Sequence, residues 1–162
     1  MPYYSKKRSY SKAYPKARHV DKKLLLSSGN LTAATQFNTV LFTPSVACTL
    51  KGLRVNGSVN ETTTTDVIPA NISWAILCVK EGYVPNAINT VSSGDFYIPE
   101  QDVCAWGVGK ATQSANGIGW AYDFDIAPKT SRKMEEGDRL YMAIVSDAAC
   151  NALINTQVFV YQ

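Results

Sequence analysis

The residues able to do acid–base or nucleophilic chemistry are few and badly placed for it. His19 is the only histidine and lies in a run of cations. No Ser/His/Asp or Cys/His arrangement can therefore be assembled in a folded domain downstream of it. Cys48, Cys78, Cys104 and Cys150 stand 30, 26 and 46 residues apart, which gives no CxxC or Cys/His pair of metal-ligand spacing. Each has apolar or small neighbours, so buried, reduced thiols are the expectation. Asp123, Asp125, Glu135, Glu136 and Asp138 could gather around a hard cation such as calcium, but read more simply as a solvated face and an acidic turn. The stretch Gly107-Val-Gly-Lys-Ala111 lacks the spacing and the following helix of a phosphate loop. No enzymatic activity, metal or cofactor is expected.

Chemistry toward phosphate is better represented. The chain opens MPYYSKKRSYSKAYPKARHVDKK, in which Lys6, Lys7, Arg8, Lys12, Lys16, Arg18, Lys22 and Lys23 face a single acid, Asp21, for a local charge of +7. Residues 24–162 carry the other eight cations against twelve acids, a charge of −4. Tyr3, Tyr4, Tyr10 and Tyr14 interleave with the first cations. Prolines and serines deny the segment both a helical stripe and a core face, so it should be disordered when alone. A cationic segment needs anionic density to act on. An amphipathic stripe or lipid anchor for a membrane is missing. Nucleic acid fits, because each neutralised phosphate releases counterions and tyrosines stack on exposed bases. The bland readings are a solubilising tail or a nuclear-localisation signal.

The remainder must position whatever this arm serves. After residue 23 the sequence turns rich in Val, Ile, Thr, Phe, Tyr and Trp, broken about every ten residues by turn formers, which is the pattern of an all-β domain. In WAYDFDIA, Trp120, Tyr122, Phe124 and Ile126 alternate with Ala121, Asp123, Asp125 and Ala127, as in a strand with one face in the core. ISWAILCV (72–79) and DRLYMAIVS (138–146) are apolar on both faces and should be central strands. QFNTVLFT (36–43), ACTLKGLRVNGSV (47–59), DVCAWGVGK (102–110) and TQVFVYQ (156–162) complete seven or eight strands. Trp74, Trp106 and Trp120 have few cationic neighbours and read as core. Two long connections, 60–71 and 81–101, suggest function or assembly. The cations at the start precede no apolar run and no segment reaches the roughly 20 apolar residues of a membrane span, so a soluble protein made in the cytosol is expected. Three Asn-x-Ser/Thr triplets, at Asn30, Asn60 and Asn71, receive no role.

The arm YYSKKRSYSKAYPKAR (3–18), followed by a strand series ending in VFVYQ (158–162), resembles the organisation of coat proteins of small eukaryotic viruses with circular single-stranded DNA genomes, the circovirus-like group. The small size and lysine-led arm are also similar to the coats of small satellite RNA viruses. The resemblance implies an arm at 1–23 and a capsid domain at 24–162 forming a single eight-stranded jelly-roll sandwich. It further implies self-assembly of roughly sixty copies into a T=1 icosahedral shell. The arms would face inward on a packaged single-stranded genome, DNA rather than RNA. The location implied is the virion, and the host nucleus or cytoplasm during assembly, with no membrane partner. A different class of function is a monomeric or low-oligomer β-barrel module binding single-stranded nucleic acid, whose face would show exposed aromatics beside cations on adjacent strands.

Overall fold

The computed structural model describes residues 20–62, 70–86, 88, 99–113 and 119–161, with side chains from residue 24 onward. The arm up to residue 19, and most of the two long connections, lie outside the described residues. The described residues form ten strands: β1 (Val20–Leu31), β2 (Phe37–Phe42), β3 (Cys48–Glu61), β4 (Asn71–Val79), β5 (Gln101–Lys110), β6 (Thr112–Gln113), β7 (Trp120–Ile126), β8 (Arg132–Met134), β9 (Arg139–Ser146) and β10 (Cys150–Tyr161). Among the described residues there is no helix.

All pairings are antiparallel and form two sheets. The first has the order β1-β10-β3-β7-β6 with β8 on β3, and the second runs β2-β9-β4-β5. The alternation read in β7 is present: Phe124 is buried, Trp120, Tyr122 and Ile126 pack partly buried on the core, and Asp123 and Asp125 are exposed. In β10, Cys150, Ala152, Ile154, Thr156, Val158 and Val160 are buried and every intervening residue is exposed or half-buried. Inward side chains such as Leu50, Val55 and Ile154 of the first sheet and Ile72, Ile76 and Met142 of the second build the main core.

β4 and β9 are the central pair of the second sheet, as their two apolar faces require. Their outward side chains Ala75, Leu77, Val79, Tyr141 and Ala143 form a second cluster with Ile88 from the connection between β4 and β5. Side-chain amides hold the connection at Asn86 and Ile88. Ile88 N donates to Gln36 Oε1 at 2.7 Å, Asn86 N to Gln101 Oε1 at 2.8 Å, and Gln36 Nε2 to Asn86 O at 3.2 Å.

β1 starts at Val20, so the last four residues of the basic segment join the backbone ladder, with Val20 opposite Tyr161, Lys22 opposite Phe159 and Lys23 opposite Val158.

Trp106 departs from the core expectation: it is 62% exposed, whereas Trp74 and Trp120 pack against the core. A bulge is responsible. The β4–β5 register shifts between Ile76 and Leu77, leaving Cys104 as the extra residue between Val103 and Ala105. Beyond it Trp106 and Val108 share the outward face with Ala75 and Ser73, and Gly107 and Gly109 turn inward. A Cβ on Gly107 would lie 2.5 Å from the Trp74 ring and one on Gly109 2.1 Å from the Tyr122 ring. Those rings occupy the interior that Trp106 would need.

Candidate nucleic-acid interface

Ten of the residues expected to bind nucleic acid (Tyr3, Tyr4, Lys6, Lys7, Arg8, Tyr10, Lys12, Tyr14, Lys16 and Arg18) lie outside the described residues. Lys22 and Lys23 are placed by their backbone on the edge strand β1. The arm therefore enters the fold at one corner of the first sheet, at the row where Tyr161 sits.

The register defines that corner. Thr49 pairs with Tyr161 on one side and with Lys133 of β8 on the other. Directly opposed residues of antiparallel strands project to the same face, so Tyr161, Thr49 and Lys133 form a row across three strands. Their chain neighbours Val160, Leu50 and Met134 are buried, which places the row on the outward face. The next row brings Phe159 opposite Gly52, where the bare glycine leaves room for the ring: a Cβ there would stand 3.2 Å from Phe159 Cδ2. A bulge between Phe159 and Val160 leaves Lys51 as the extra residue of β3, and bulges re-aim side chains in this way. Lys51 is exposed and its Nζ donates to Ser131 Oγ at 2.9 Å. A cleft of about 500 Å³ opens here, lined by Thr49, Lys133, Glu135 and Tyr161 together with Ala47, Cys48 and Met134.

The cations of the folded part divide into two groups. Arg54 is bound to Asp125 through two bonds, Nε–Oδ1 at 2.9 Å and Nη2–Oδ2 at 2.5 Å, so it carries no spare charge. Arg132 pairs with Asp102 at 2.5 Å. Lys80 lies 3.0 Å from Asp138 and 3.8 Å from Glu135. Lys51, Lys133 and Lys129, the last in the link between β7 and β8, make no ion pair with a carboxylate among the described residues. Lys110 at the end of β5 and Arg139, which donates to the Tyr141 hydroxyl, also lack a carboxylate partner among the described residues, so two of the five unpaired cations, Lys51 and Lys133, stand at the corner where β1 begins.

The carboxylates considered for calcium fall in two separate places, Asp123 and Asp125 on β7 and Glu135, Glu136 and Asp138 in the turn between β8 and β9, and Asp125 and Asp138 are already engaged. Asp125 is held by Arg54, which keeps its carboxyl below the usual range, first through the hydrogen bond and then through charge. Asp138 is buried and its Oδ2 accepts from Lys80 Nζ and from Glu135 N at 2.9 Å, closing the turn in which Gly137 takes φ +87°. Asp147 accepts the backbone and side-chain amides of Asn71 at 2.8 and 2.6 Å. Glu61 Oε1 accepts Ala70 N at 2.6 Å, and its buried Oε2 has no partner. Among the described residues no three His, Cys, Asp or Glu side chains cluster as metal ligands. None of the four cysteines is in a disulfide; Cys48, Cys78 and Cys150 are buried and Cys104 half-buried.

The sequence reading placed its candidate binding groups in the arm and did not consider Tyr161, Phe159 or Lys133, which the fold brings to the corner where the arm joins. The alternation of TQVFVYQ does put the two aromatics on one face, but their nearness to Lys133 depends on β3 standing between β10 and β8. No family model matches the chain, and no curated protein emerges as a relative.

Proposed function

We propose that the chain is the coat protein of a small single-stranded DNA virus of the circovirus-like kind, assembling into an icosahedral shell and packaging its genome through the basic arm at 1–23. The observation that carries this reading is the division of charge: +7 before residue 24 and −4 after it. The part of the arm ahead of β1, residues 1–19 with six cations and no acid, is thereby discouraged from lying on the acidic fold and is available to a polyanion. Sixty such arms would bring on the order of 400 positive charges to the genome, the remaining phosphates being met by small cations.

The sheet order supports a jelly roll for the folded part. With the two- and three-residue strands β6 and β8 set aside, the sheets reduce to β1-β10-β3-β7 and β2-β9-β4-β5. The chain then changes sheet at every link except β4 to β5. Two packed four-stranded sheets wound in this way form a double Greek key. Assembly is supported by apolar side chains left at the surface: Trp106 and Val108 on the second sheet, at 62% and 65% exposure, and Leu24 and Leu26 on edge strand β1, at 66% and 69%. Such surface is what contacts between copies use.

Light scattering and negative-stain microscopy of the purified full chain test the reading. Closed particles of megadalton mass enclosing nucleic acid are expected. A protein that stays at 17.7 kDa at tens of micromolar across salt and pH would instead favour the monomeric nucleic-acid-binding module.

A further inference from the structure

We infer that the folded domain has its own contact for single-stranded nucleic acid, at the Tyr161–Thr49–Lys133 row and its cleft, beside the point where β1 begins. This rests on the packaging reading and adds a second, structured binding element to it. Three observations converge there. The ring of Tyr161 lies on the outward face with Phe159 one row away. Lys133 and Lys51, both exposed and without carboxylate partners among the described residues, flank the two aromatics on β8 and β3. Residues 1–19, with six cations and no acid, join the sheet at Val20, directly opposite Tyr161.

Charge and shape favour a nucleic-acid strand over other polyanions. An acidic peptide would use the lysines and offer the rings no base to stack on. A single strand uses both, stacking a base on a ring while its phosphates meet the ammonium groups. The cleft of about 500 Å³ between Tyr161 and Lys133 is ample for one base. Glu135 on the same cleft repels phosphate, which leaves the base for that end and the backbone for the Lys51 and Lys133 side.

The test uses the full chain and a short fluorescein-labelled DNA strand of mixed sequence, with affinity measured over a salt series and thermal melting as the fold control. Lys51→Gln with Lys133→Gln should flatten the slope of log K against log salt by about 1.4, from roughly 0.7 per phosphate contact on a single strand. Tyr161→Ala should weaken binding about tenfold with little change of slope, and Tyr161→Phe should restore it, since stacking needs the ring alone. Ultraviolet cross-linking of the loaded protein should place an adduct on the peptide holding Phe159 and Tyr161. Unchanged affinity and slope in these variants, while deletion of residues 1–19 still abolishes binding, would overturn this site and leave the packaging reading standing. Failure of the unmodified chain to bind DNA would remove both. Loss of binding to polyglutamate equal to the loss toward DNA in Tyr161→Ala would also overturn it, because polyglutamate has no base to stack.

Discussion

Trp74 Nε1 donates to the Tyr122 hydroxyl at 3.2 Å, joining β4 of one sheet to β7 of the other through the interior of the sandwich. The two rings are seated against Gly107 and Gly109 of β5, so one hydrogen bond and two missing Cβ atoms together set how closely the sheets approach at this edge. Tyr122→Phe leaves the indole N–H half-buried without its acceptor and should cost about 1 kcal/mol in urea unfolding. Gly109→Ala drives a methyl into the Tyr122 ring and should cost roughly 1–3 kcal/mol, as overpacking does. A Gly109→Ala protein as stable as the wild type would show that the ring moves freely, contrary to this geometry.

The cysteines should differ in reactivity. Burial, with smaller contributions from Cys104 and Asp138, pushes the Cys78 thiol up to about 12. Cys104 is also raised by burial, but neighbouring Arg132 opposes the shift and the residue is only half-buried. Thiolate is the reactive form. Iodoacetamide near neutral pH should therefore label Cys104 ahead of Cys78 in the native protein, and all four thiols after denaturation. Mass spectrometry of cytosolically produced protein that shows a bonded pair would contradict the free thiols seen here.

The Arg54–Asp125 pair predicts an acid-side effect. The arginine lowers the Asp125 pKa from its ordinary value, so the folded state binds a proton less readily than the unfolded chain does. Its contribution is present above the unfolded carboxylate value, about 4, and is lost as pH falls through the lower folded value. Arg54→Gln should flatten the decline in melting temperature over that acid range and leave its shape near neutrality unchanged. Both side chains are half exposed, 52% each, so added salt should shrink the difference. An identical acid profile in the variant would show that the pair is not formed in solution.

Truncation should separate the arm from the strand that follows it. Removing residues 1–19 takes away cations and no part of the described sheets, so the melting temperature should hold while nucleic-acid uptake falls. Removing 1–23 also strips the pairing of Val20–Lys23 with Val158–Tyr161 and should lower the melting temperature. Within the intact arm, alanine at Lys6, Lys7 and Arg8 should reduce the salt slope by about two. Equal nucleic-acid load in the 1–19 deletion would assign the charges to another task, such as nuclear import.

Trp106 and Trp120 should respond oppositely. Trp120→Ala removes a ring packed on the core and should destabilise the domain by a few kcal/mol. Trp106→Ala removes an outward side chain and should leave chemical denaturation almost unchanged while weakening self-association in sedimentation. A stability loss in Trp106→Ala that matched the Trp120→Ala loss would place the Trp106 ring in the core.

The sequence by itself determined the all-β class, the approximate positions of β2, β3, β4, β5, β7, β9 and β10, and the partition of charge between arm and domain. Each follows from local composition or period-2 alternation, which a strand shows wherever one face is buried. Other features needed the tertiary structure. β1 reads Leu-Leu-Leu-Ser-Ser with no alternation, and is a strand because β10, from the other end of the chain, supplies its hydrogen-bonding partner. The bulges at Lys51 and Cys104 exist only relative to β10 and β4, yet they decide that Lys51 joins the basic corner and that Trp106 faces outward. Tyr161 and Lys133 are brought together by Thr49 of a strand distant from both in sequence. Face alternation is a property of one strand, whereas register, bulges and the company a side chain keeps are properties of pairs of strands.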